Sequence, residues 1–230
     1  MSAFVQRTPG SGSAGASTTA TLNITFPSTT VTGNLFVVAF DYQAATGTVS
    51  LGSISDNKGN TYVIDHNIVD PINVNQRWGF AHIFNANGGA STMISIVINN
   101  SVSATIRYSA VIYEISGATV IDVDTNGSAG VGSNPPPINF TTVIPNSVAI
   151  SNSTTDNNAA TWVENNGWSQ DITSNQTGQF CASNVLPSAG ANSLNATATP
   201  AVDIQWLVMT FGTPAALPPS SYPLESNEYY

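Results

Sequence analysis

The chain has 230 residues, 41% of them apolar and only 7% charged, against about 25% charged in an average soluble domain. Thirteen acidic residues face four basic ones, for a net charge of −9 and a pI near 4.1. Nucleic-acid binding needs a basic footprint to neutralise phosphates and is excluded, and an anionic membrane surface is disfavoured for the same reason.

The apolar fraction suffices for a core, and low charge argues against disorder. The single cysteine, Cys181, rules out an intrachain disulfide framework. No basic segment followed by an apolar run opens the chain, so no secretory signal is expected there. The longest apolar run, Leu35 to Phe40, is too short to cross a bilayer.

Taken in order, Phe4 to Thr8 reads as a short first strand and Pro9 to Ala16 as a Gly/Ser-rich loop. Thr19 to Phe26 alternates, with Leu22, Ile24 and Phe26 on one face, the period of a half-buried strand. Leu35 to Tyr42 is continuously apolar, as a central strand would be, and its β-branched and aromatic content favours strand over helix. Thr48 to Ser55 leads into Asp56-Asn-Lys-Gly-Asn-Thr-Tyr62, a compact turn signal. The chain is expected to reverse there, as a hairpin, into Thr61 to Ile68.

Gln76 to Phe84, Thr92 to Asn99 and Thr105 to Ile115 follow as strands, and Val120 to Asp124 as a short one. Thr125 to Pro137 reads as a loop and hinge. Ile138 to Val143, Ser147 to Thr155, Gln179 to Asn184, Ser193 to Thr199 and Ile204 to Phe211 complete the strands. Leu35 to Phe40 and Ser147 to Ser151 echo each other too weakly to define a repeat. Many short strands separated by turn residues predict an all-β, antiparallel β-sandwich of jelly-roll-like build. The expected division is 1–17 as an N-terminal arm or first strand, 18–213 as the sandwich, and 214–230 as an extended, Pro-rich tail.

The chemistry-bearing residues are few. A nucleophilic triad would need Ser or Cys near His and an acid, but only His66 and His82 exist and no Gly-x-Ser-x-Gly elbow occurs. His82 shares a face with Trp78 and Phe80 and reads as packed, and Cys181 reads as a buried thiol. Glycoside hydrolysis would draw its two carboxylates from Asp41, Glu114, Asp122 and Asp124. Asp56, Asn57 and Asn60 offer oxygens to calcium, with Asp65 or Asp70 nearby. The alternative is a polar turn whose side chains bond their own backbone. Zinc has no Cys/His cluster to hold it. Trp78, Trp162 and Trp168, with Tyr108, are candidates for stacking on sugars or for core packing, and Trp206 reads as core. In the tail, Tyr222, Leu224, Tyr229 and Tyr230 could anchor an arm on a neighbouring subunit, or the tail is a free end.

The motif Asp56-x-x-Gly-Asn-Thr-Tyr62 stands between an apolar strand (Asn34 to Phe40) and an aromatic one (Trp78 to Phe84). Gly88-Gly89-Ala90, Tyr113-Glu-Ile-Ser-Gly117, Ile121-Asp122 and a Trp-containing last strand follow. Across roughly residues 18 to 214 this order resembles β-sandwich modules of phage structural proteins and large bacterial surface proteins. The resemblance implies fold more than activity: such modules adhere, decorate or space. The expected function is a non-enzymatic structural protein on a virion surface, a phage capsid decoration or fibre protein, without a cofactor unless calcium binds. Its partners would be its own copies or capsid and tail proteins. The alternative is a secreted carbohydrate-binding or adhesion module at the cell surface or outside the cell, with surface glycans as partners.

Overall fold

The computed structural model describes residues 1–71, 73–129, 137–155, 160–174, 176–199 and 203–215. Among them there is no helix, and every sheet is antiparallel. The first half holds β1 (Ala3–Thr25), β2 (Leu35–Ala44), β3 (Val49–Asp56), β4 (Val63–Val69), β5 (Gln76–Ile83) and β6 (Met93–Ser116). They form one sheet in the order β1-β6-β2-β5-β4, with β3 added to β6.

Two expectations change here. Thr92 to Asn99 and Thr105 to Ile115 are one strand, the 24-residue β6. Its first part pairs with β3 and its second with β2, while β1 runs beside both and bridges the junction. Pro9 to Ala16 is not a loop: it lies inside β1, so residues 3–17 are sheet. Strand β1 is an edge, where Pro costs no ladder bond on its open side. Two of its three glycines lie beneath side chains that crowd them. A Cβ on Gly10 would lie 2.7 Å from the Ile24 side chain, and one on Gly12 would lie 2.9 Å from the Tyr108 ring.

The second half holds β7 (Val120–Ala129), β8 (Ile138–Thr142), β9 (Ser147–Thr155), β10 (Thr161–Glu164), β11 (Ser169–Thr173), β12 (Phe180–Leu186), β13 (Gly190–Leu194), β14 (Ala196–Thr199) and β15 (Ile204–Gly212). Its main sheet has the order β7-β15-β9-β12-β11, and β8–β13 and β10–β14 form small ladders.

The halves repeat one another. In each, the first strand pairs with the last, the last with a fully buried central strand (β2 or β9), and that with a strand carrying the far edge. The irregularities coincide. Val5 is bulged out of β1–β6 where Asp122 is bulged out of β7–β15, and Asp65 out of β4–β5 where Asp171 is bulged out of β11–β12. The turn after β3 is also matched. Asp56 Oδ1 accepts from Lys58 N at 2.9 Å, and Glu164 Oε1, at the end of β10, accepts from Asn166 N at 2.7 Å. Gly59 and Gly167 both take positive φ, at 77° and 87°.

The two main sheets face each other across one apolar core. Leu35, Val37, Phe80, Val111, Tyr113 and Ile115 meet Val148, Ile150, Leu207, Met209 and Phe211 there. Each such fully buried side chain contributes about 1.5–3 kcal/mol. A separate core backs each sheet: Phe36, Val38 and Phe40 under Leu22, Ile24, Ile94 and Ile96 in the first half, and Trp162, Trp168 and Phe180 in the second. Hence β2 and β9 are buried on both faces.

An ion pair and a histidine–carboxylate contact close the margins of the shared core. Arg7 Nε on β1 lies 2.8 Å from Asp171 Oδ1 on β11, and His66 Nε2 on β4 lies 2.6 Å from Asp124 Oδ1 on β7. Arg7 and Asp124 hold matching places in β1 and β7. The facing sheets therefore bring equivalent positions together. Ala39 faces Phe80 as Asn152 faces Cys181, so Asp41 matches Thr154 and Gln76 matches Thr177.

Candidate functional site

A cluster of buried polar groups lies where those equivalent positions meet. Asp41 interrupts the apolar run of β2 and is 1% exposed, and Gln76, Thr154 and Thr177 are 0% exposed. Gln76 Nε2 donates to Asp41 Oδ1 and Oδ2, each at 3.1 Å, and to the Thr177 carbonyl at 2.7 Å. The same nitrogen lies 2.6 Å from Thr154 Oγ1, whose hydroxyl donates in turn to Asp41 Oδ2. Asn73 Nδ2 donates to Gln76 Oε1 at 3.3 Å, and the Ser109 and Thr177 hydroxyls share a 2.6 Å bond. One turn of sheet away, Asn152 Nδ2 donates across the interface to the carbonyls of Phe40 (3.1 Å) and Gly79 (2.8 Å).

Burial pushes the Asp41 carboxyl well above the usual carboxylate range. The charge of nearby Asp70 adds to the effect, and the bonds from Thr154, Gln76 and Thr177 oppose it. The folded chain thus keeps a proton on Asp41 at pH values where the unfolded carboxyl, with a pKa of about 3.9, has lost it. Asp41 therefore contributes fully below the unfolded pKa, and that contribution falls as pH rises through the folded one. Asp41→Asn is expected to flatten this decline, read as the slope of the unfolding midpoint between about pH 4 and about pH 8. An unchanged slope would show that Asp41 is ionised throughout.

The turn Asp56 to Tyr62 is not a hairpin. Strand β3 pairs with β6 and β4 with β5, so the turn carries the chain from one ladder to another. Its oxygens are already used. Asp56 Oδ1 accepts from the Lys58 and Asn60 amides, and Oδ2 from Asn60 Nδ2 (2.7 Å) and the Tyr62 hydroxyl (2.9 Å). Asn57 Oδ1 accepts from Met93 N, and Asn60 Oδ1 from Asn87 N. Calcium ligation by Asp56, Asn57 and Asn60 would require breaking these bonds, so the set is a loop fastener. Asn166 repeats the fastening in the second half, bonding Ser193 O and Asn195 N as Asn57 bonds Ser91 O and Met93 N.

The tryptophans proposed for sugar stacking are core. Trp78, Trp162 and Trp168 are 1%, 5% and 5% exposed. Trp162 stacks on Phe180 at 4.8 Å, and Trp168 meets Phe140 edge-on and donates Nε1 to Ser193 O. The polar sequence around Trp162 and Trp168 suggested exposure, but each sits on the inward side of a short strand or turn that roofs the second-half core. Trp206 is half-buried. Tyr222, Leu224, Tyr229 and Tyr230 lie outside the described residues.

The remaining candidate acids hold loops and edges. Glu114 is buried and accepts from Val31 N and Asn34 Nδ2, both at 2.7 Å, and from Gln6 Nε2 at 2.5 Å. Asp122 accepts from Val143 N and Ile144 N in the equivalent loop of the second half. Asp65, at the β4 bulge, holds His82 Nδ1 at 2.7 Å. The Cys181 thiol is buried, which raises its pKa well above the usual thiol range. Compared with known proteins, the chain matches no family model and no curated sequence.

Proposed function

We infer that the chain is a non-enzymatic structural protein: a β-sandwich, jelly-roll-like in build, displayed on the surface of an assembly. The phage virion, with the chain as capsid decoration or fibre protein among its own copies and capsid or tail proteins, is the setting we favour. The observation that carries this reading is the use made of the charged side chains. Asp56, Glu114, Asp122, Asp65 with His82, His66 with Asp124 and Arg7 with Asp171 each fasten a loop, a bulge or a sheet margin. What faces outward is mainly short polar side chains, suited to a durable shell. Sugar recognition by stacking is not supported, because none of the described aromatic residues is exposed.

Virus particles banded on a density gradient, from lysates of the cells that make the protein, test the proposal by immunodetection. The chain should band with intact particles and be accessible to antibody. Confinement to the particle-free fractions would overturn the assignment.

A further inference from the structure

We propose that Thr154 and Gln76 join through an intramolecular ester, formed by the chain itself, that ties β9 of one sheet to β5 of the other. The inference stands on the buried cluster alone and does not depend on the virion reading.

The geometry supplies each part the reaction needs. The nucleophile is Thr154 Oγ1, 2.6 Å from Gln76 Nε2. The electrophile is the Gln76 amide carbon Cδ, one bond of about 1.33 Å from that nitrogen, hence no more than about 4 Å from Oγ1. Asp41 touches both reacting groups: its Oδ2 accepts the Thr154 hydroxyl proton, and both carboxylate oxygens lie 3.1 Å from Gln76 Nε2. It can therefore take the proton from Thr154 and hand it to the leaving nitrogen. Asn73 Nδ2, bonded to Gln76 Oε1, stabilises negative charge as it develops on that oxygen.

The balance is simple. Thr154 Oγ1 adds to Cδ, the Cδ–Nε2 bond breaks, and the hydroxyl proton travels through Asp41 to Nε2. Ammonia leaves and the Thr–Gln ester remains. No oxidant or further reactant is required. Burial favours the protonated form of Asp41 and makes its ionised form a stronger base than an ordinary carboxylate. The ionised fraction carries the reaction, and it suffices because only one turnover per molecule is needed. Escape of ammonia makes the step effectively one-way, and exclusion of water from the site, where all three side chains are at most 1% exposed, protects the ester from hydrolysis. Fixed neighbours at contact distance supply the proximity on which such slow acyl transfers depend.

The test is the intact mass of the full chain, with circular dichroism to establish folding. The purified protein should weigh one ammonia less than its sequence. Thr154→Ala and Asp41→Asn should restore the sequence mass, and Thr154→Ser should again lose ammonia. Trypsin, cutting after Lys58, Arg77 and Arg107, should release residues 59–77 covalently joined to a peptide beginning at Tyr108. A folded chain at full sequence mass would overturn the proposal. So would an ammonia loss that survives in Thr154→Ala, since that would place it elsewhere, as at an Asn-Gly step.

Discussion

Gly79→Ala is expected to destabilise the protein by about 3 kcal/mol or more, the upper end of what forcing atoms into a packed interior costs. A Cβ at Gly79 would lie 1.9 Å from the His66 carbonyl oxygen and 2.5 Å from its carbon, with the Phe40 ring 3.0 Å away. The obstacle is backbone of the adjoining strand, which cannot rotate aside as a side chain would. The contact lies beside the register shift at Asp65 in β4, where His66 pairs with Phe80 and Asn67 with Gly79. Relief by shifting β5 would pull the Gly79 carbonyl from Asn152 Nδ2. In a chain of this size the loss corresponds to a fall in Tm of roughly 6–12 °C. Gly15→Ala is the control, since a Cβ there meets nothing within 4 Å. It should be neutral or slightly stabilising. Urea unfolding of both variants decides the matter, and a Gly79→Ala midpoint near the parent's would disprove the crowding.

The fold class was legible because strand period is a local property. Leu22, Ile24 and Phe26 alternate with Thr and Asn, and the unbroken run Leu35 to Tyr42 marks a strand buried on both faces, which β2 is. What was not legible was pairing. The residues of Asp56 to Tyr62 do make a turn, but nothing in them says that β3 belongs to β6 and β4 to β5. Composition misled at Pro9 to Ala16, where small residues are needed beneath Ile24 and Tyr108 and so imitate a loop.

The repetition shows in the sequence only as the weak echo between Leu35 to Phe40 and Ser147 to Ser151, in the matched strands β2 and β9, because the halves keep places and exchange residues. Asp56 holds its turn with two carboxylate oxygens on four donors, and Glu164, from a longer side chain, holds the matching turn through the Asn166 and Gly167 amides. The loop before the central strand is held by Glu114 from β6 in one half and by Asp122 from β7 in the other. Asp65 and Asp171 are a rare case in which place and residue both persist, at a bulge that leaves a carboxylate pointing at its neighbours. Of the candidate site only Asp41 stood out, as a possible glycosidase acid, for a related reason. Asp41, Gln76, Thr154 and Thr177 come from four separate segments and form no motif. The one available signal was an acid set within an apolar strand, a position where a charge needs partners.

Asn152→Ala should cost about 3 kcal/mol, nearly as much as the Gly79 change, by the opposite route of leaving polar groups without partners. Asn152 is fully buried on β9 and joins the sheets through polar contacts rather than packing. Its Nδ2 holds the Phe40 and Gly79 carbonyls of the facing sheet, while its Oδ1 accepts from Gln179 Nε2 at 2.9 Å and from the Cys181 thiol at 3.4 Å. Truncation removes the Nδ2 donor of the Phe40 and Gly79 carbonyls and the Oδ1 acceptor of Gln179 Nε2 and the Cys181 thiol at once, and each buried group left unpaired costs roughly 1–3 kcal/mol. Asn152→Leu, which refills the volume, should recover little, because shape is not what is lost. A cycle with Gln179→Ala separates the two explanations. If the polar network carries the energy, the second substitution should cost clearly less in the Asn152→Ala background than in the parent, since its main partner is already gone. Strict additivity of the two unfolding free energies would mean that Asn152 acts by filling space.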